Sequence, residues 1–75
     1  MAVLSLISGK KLVKLLEKQG FEVTSVRESH PRMKHPDGRI TTVPVHKNED
    51  LSKGLLRKII REDLKMDVED FGRLV

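Results

Sequence analysis

A chain of 75 residues with no cysteine has room for one small core and excludes disulfide staples and thiolate metal sites. Its 15 Lys and Arg against 11 Asp and Glu give a formal charge of +4, which suits a polyanionic partner, while 2 phenylalanines and no Trp or Tyr are too few for a base-stacking platform. No apolar run approaches the roughly 20 residues that span a bilayer, and the apolar opening 1–7 lacks the basic leader of a signal peptide, so one cytoplasmic domain, 1–75, is expected.

The first predicted element is a helix that begins after Ser8, whose hydroxyl can cap the free amides of the first turn. Ile7 and Leu12 fit a hydrophobic staple across that start. Leu12, Leu15 and Leu16 recur at helical spacing, widened by Val13, and leave Lys10, Lys11, Lys14, Glu17 and Lys18 to water. Gly20 suits a left-handed C-terminal cap, with Phe21 folding back to seal the end.

Residues Phe21 to Arg27 read as a strand, with Phe21 and Val23 on one face. A second, short strand runs from Pro31 to His35, and Met33 is its one strong apolar residue. Pro36-Asp37-Gly38 then supplies a turn: proline presets φ, aspartate can bond nearby backbone, and glycine accepts positive φ. Ile40 to His46 is the third strand, with Val43 and Val45 turned inward and Thr42, Pro44 and His46 outward. Pro44 cannot donate to a ladder, so it marks an edge or a bulge.

Asp50 or Ser52 caps a second helix that buries Leu55, Leu56, Ile59, Ile60 and Leu64 and exposes Arg57, Lys58, Arg61, Glu62 and Asp63. Val68 and Phe71 mark a last turn that closes over the core. The expected fold is α+β in the order α-β-β-β-α: a three-stranded antiparallel sheet with two helices on one face, as in double-stranded-RNA-binding domains.

Alternation along the second strand locates the chemistry. With Met33 inward, Pro31 and His35 share its face, and His30, Arg32 and Lys34 point to the open side of the sheet. RNA carries its own nucleophile, the ribose 2′-hydroxyl, so cleavage needs only proton movement and charge stabilisation at phosphorus. Histidine, which as a residue type titrates near pH 6.5, suits the first task. Arg32, with its bidentate fork, and Lys34 suit the second. Ser29 either holds a phosphate or serves as a turn residue, and His46 either is structural or approaches His30 from the third strand. Three histidines with Asp37 and Glu28 are too scattered for a recognisable metal cage, so no metal or cofactor is expected. Neither a Gly-x-Ser-x-Gly elbow nor helix-turn-helix spacing is present.

The ordered set of a first helix, Gly20-Phe21, Ser29-His30, Met33, Pro36-Asp37-Gly38, Val43-Pro44-Val45-His46 and a second helix resembles the HicA toxin family of toxin–antitoxin modules, from about Ser8 to Phe71. The resemblance implies the toxin of a type II module: a metal-independent endoribonuclease, an mRNA interferase, with His30 as its single catalytic histidine. It also implies a HicB-like antitoxin as partner. Ser29, Arg32, Lys34 and His46 are then the candidate mRNA-binding residues. One position departs from the family's Gly-Ser-His motif, because Glu28 stands where glycine is usual. That carboxylate can weaken RNA binding, favour a charged imidazole or act as a second acid/base group. It keeps open an alternative, a non-catalytic RNA-binding or protein-interaction module of the same fold.

Overall fold

The computed structural model of this chain describes residues 6–46 and 49–74, so most of the apolar opening 1–7 lies outside the described residues. Helix α1 spans Gly9–Lys18, and the Ser8 Oγ accepts from the Lys11 N–H at 3.2 Å, as its cap position predicts. Gly20 sits at φ 100°, with its N–H donating to the Glu17 carbonyl at 3.1 Å and the Phe21 N–H to that of Leu16 at 3.0 Å. This paired closure is the Schellman motif, and it leaves Phe21 buried under the helix end. A Cβ at Gly20 would come within 3.0 Å of His35 Nε2, so space as well as φ requires glycine there.

Three antiparallel strands follow in spatial order: β1 (Glu22–Arg27), β2 (His30–Lys34) and β3 (Ile40–Thr42). Central β2 alternates as its sequence predicts, with Pro31 and Met33 buried, Arg32 and Lys34 exposed, and His30 half-buried. Val23 shares the pleat side of Met33, its partner in the register, but lies on an edge strand beyond the cover of the helices and stays 40% exposed. A bulge near Thr24 interrupts that edge, and the Thr24 hydroxyl donates to the Arg32 carbonyl at 3.2 Å.

The third strand is shorter than the predicted Ile40 to His46, and a proline on its neighbour explains why. Regular pairing with β2 ends at Arg32↔Thr42, because Pro31 has no N–H to return the bond it accepts from Val43, while Pro44 turns its N to the outer edge. Beyond that point the segment hangs from β2 by one-way bonds, Val43 N–H to the Pro31 carbonyl at 3.0 Å and Val45 N–H to that of Ser29 at 3.2 Å. Val43 is buried as predicted, and Val45 is half-buried.

Ser52, not Asp50, caps helix α2 (Lys53–Lys58), its Oγ accepting from the Leu55 N–H at 3.3 Å. The helix then widens into a π-turn over Ile59–Asp63, closed by the Leu64 N–H on the Ile59 carbonyl at 2.9 Å. Asp63, expected in solvent with its charged neighbours, is instead half-buried, and its Oδ2 accepts from the hydroxyl of buried Thr41 at 2.8 Å. A buried hydroxyl needs such a partner, and the widened turn supplies it. Helix α3 (Val68–Gly72) closes the core with fully buried Phe71. Leu12 and Leu16 of α1 meet Met33, Val43, Leu56, Ile59 and Ile60 in one cluster, so the helices cover one face of the sheet and leave the other open.

The Pro36-Asp37-Gly38 turn is bonded into this frame. Asp37 accepts from the Arg39 backbone N–H at 3.0 Å and from its Nε at 2.7 Å, and Arg39 Nη1 reaches the Leu64 carbonyl at 2.9 Å. The Arg39 guanidinium lies 5.2 Å from the centroid of Phe21. That backbone N–H, followed by the guanidinium bond and charge, holds the Asp37 carboxyl below its ordinary value of 3.8.

Candidate nucleic-acid interface on the open sheet face

The hairpin between β1 and β2 has a two-residue turn, Glu28-Ser29, with φ 49° and 68°. Two consecutive positive φ values make the type I′ turn that matches strand twist, and it normally takes Asn-Gly or Asp-Gly. Because the loop is this short, Arg27 lies directly across from His30. The result is a cleft on the open face lined by Ser25, Arg27, Glu28, His30, Arg32 and Thr42.

His30 begins the central strand, and the buried Pro31 beside it keeps its imidazole on the open side. His46 arrives from a different part of the chain. The bonds from Val43 and Val45 to β2 lead the segment back toward Ser29, and the two imidazoles meet edge to face with centroids 5.6 Å apart and planes at 89°. Helix α1 pins the segment from behind, since a Cβ at Gly9 would overlap the Pro44 carbonyl. Gly9 is therefore a close-approach glycine, needed for missing volume.

Other candidates are distributed differently. Arg32 lines the His30 cleft, whereas Lys34 lies on the same open face two residues further along, roughly 7 Å away by strand rise. Ser29 faces a separate, largely apolar groove with Val13, Val26, Pro31 and Val45. His35 has a structural role: Nε2 donates to the Gln19 carbonyl at 3.1 Å, Nδ1 accepts from the Asp37 N–H at 3.1 Å, and the ring packs edge-on to Phe21 at 5.0 Å.

Arg27, Ser25 and Thr42 were not among the sequence candidates. Arg27 could have been found from a two-residue hairpin loop, which fixes the residue opposite His30. Chemically, the cleft offers two guanidinium groups for a phosphate, hydroxyls at its sides, and an imidazole able to pass a proton, with one carboxylate opposing anions. Among the described residues, no three His, Asp or Glu side chains converge as a metal-binding group. No helix among them is long and apolar enough to cross a membrane.

Comparison with protein families matches residues 9–64 to the family described as HicA toxin of bacterial toxin-antitoxin. Neither a curated protein nor a solved structure gave a match.

Proposed function

From the premise that this chain belongs to the HicA toxin family of bacterial toxin–antitoxin systems, we propose that it is an endoribonuclease that cuts mRNA. Family membership makes it the toxin of such a pair and implies a HicB-type antitoxin as its partner. The nuclease reading rests on one observation above the others: His30 stands half-buried on the open sheet face, opposite Arg27 and beside Arg32. The arginines bind the scissile phosphate and stabilise charge on its oxygens, His30 moves a proton, and the RNA 2′-hydroxyl attacks phosphorus. The products are a 2′,3′-cyclic phosphate and a 5′-hydroxyl.

The decisive experiment incubates RNA with wild type and His30→Ala in EDTA. Wild type cuts, and the variant, which alters stability by less than about 1 kcal/mol, does not. Expression of wild type arrests growth and expression of His30→Ala does not. Deoxyribose at the cut site abolishes cleavage. Strict Mg²⁺ dependence, 5′-phosphate ends, or equal toxicity of a folded His30→Ala would contradict the reading. Glu28 in the same cleft favours a second reading, a non-catalytic RNA-binding module, because its carboxylate opposes a bound phosphate. Under that reading RNA binds but stays intact.

A further inference from the structure

In-line cleavage of a ribose phosphodiester moves two protons on opposite sides of phosphorus. The 2′-hydroxyl loses one as the P–O2′ bond forms, and O5′ gains one as the P–O5′ bond breaks. A single imidazole cannot serve both oxygens in one step, since they occupy opposite apices of the phosphorane. The arginines of the cleft cannot serve either, because a guanidinium keeps its proton at any working pH. A second proton-transfer group is needed for full general acid–base catalysis.

Two side chains qualify by position, Glu28 in the cleft and His46 against His30. Glu28 sits on the left-handed hairpin turn and is exposed. His46 is held where it is by the two bonds of its segment to β2 and by the tight seat of Pro44 on Gly9. The two imidazoles stand side by side at right angles, 5.6 Å between centroids, so a second titratable ring lies within reach of anything that His30 touches.

We propose that His46 is the second proton-transfer residue of the reaction, acting on RNA together with His30. This rests on the endoribonuclease reading above. One imidazole takes the proton of the 2′-hydroxyl while the other gives its proton to O5′, so the pair exchanges protonation states over the step. No oxidant, metal or further reactant enters the balance.

The test measures kcat and KM on an RNA oligonucleotide with one cut site, for wild type, His46→Ala, His46→Gln, Glu28→Gln and His30→Ala. A second substrate carries sulfur in place of the bridging O5′, a leaving group that departs without a proton. Both His46 variants should lose on the order of 100-fold in kcat with little change in KM, as expected for a lost general acid or base. Rescue of His46→Ala by the sulfur substrate makes His46 the acid. Rescue of His30→Ala in its place makes His46 the base. A His46→Ala kcat close to wild type, with His30→Ala inactive, overturns the proposal and leaves the nuclease reading standing, as does a loss confined to Glu28→Gln. Wild type that leaves both substrates intact overturns the nuclease reading and the second histidine's role with it.

Discussion

Replacing Glu28 separates two effects that the hairpin turn superimposes, a backbone effect and a charge effect. At φ 49° a residue with a Cβ sits in the left-handed region at a cost of about 1–2 kcal/mol, and glycine sits there freely. Glycine also has more conformational freedom to lose on folding, which takes back roughly 0.5–1 kcal/mol. The net gain for Glu28→Gly centres on about 0.75 kcal/mol within a span of about 0–1.5 kcal/mol, a rise in Tm of roughly 3–6 °C at that centre for a domain of this size. Glu28→Ala and Glu28→Gln keep the positive φ and should leave Tm nearly unchanged. The charge works on RNA alone. At a carboxylate–phosphate separation of roughly 7 Å in a water-like dielectric, repulsion is about 0.6 kcal/mol, near a threefold change in affinity. Thermal unfolding by circular dichroism reads the first effect, and RNA binding at low and high salt reads the second. Tm should rise for glycine alone, while affinity should rise for Gly, Gln and Ala alike, with the gain fading in high salt. An unchanged or lowered Tm for Glu28→Gly would refute the strain argument. If Glu28→Gln binds RNA no better, the carboxylate does not face the bound phosphate.

The remaining predictions concern the frame around the cleft. Thr41→Val strips the Asp63 carboxylate of its hydroxyl donor and should cost about 1–2 kcal/mol in urea unfolding; an unchanged midpoint would show the bond to be dispensable. Gly9→Ala forces a methyl against the Pro44 carbonyl and should cost about 1–3 kcal/mol while weakening the His30–His46 proton–proton contact in NMR; full stability with that contact intact would mean the segment is not pinned there. Asp37 has a folded-state pKa below its ordinary value, so its contribution is present above about pH 4 and is lost as pH falls through the lowered value. Between pH 6 and pH 3, wild type should therefore lose more Tm than Asp37→Asn, and parallel curves would remove the Arg39 contact from the acid response.

Much of this arrangement is legible in the chain because it depends on local rules. The caps Ser8, Ser52 and Gly20 follow from the chemistry of helix ends, and the alternation around Met33 needs only a period of 2. What escapes a local reading involves partners distant in sequence. Val23 has an apolar side chain at a core-facing position, but its exposure follows from β1 lying at the sheet's edge. The early end of β3 follows from Pro31, a neighbour distant in sequence that has no N–H to return the bond from Val43. The π-turn serves a partner far away in sequence, since the Asp63 that it carries accepts from Thr41, 22 residues distant. Arg27 was hidden by Glu28-Ser29, a pair that lacks the glycine or asparagine by which a type I′ turn is ordinarily read. The site is thus half legible: His30 and Arg32 from alternation, Arg27 only from register.

The central position of β2 also divides the open face by how readily its parts open. Arg32 and Lys34 lie where the strand is paired on both sides, so their amides exchange with solvent only when the whole sheet comes apart. His30 stands next to a turn with two positive φ values, so that end of the strand can open by smaller local excursions. The Arg32 and Lys34 end of β2 thus has the rigidity of the core behind it, and the His30 end keeps some freedom to adjust. One short strand carries both properties, graded from one end to the other.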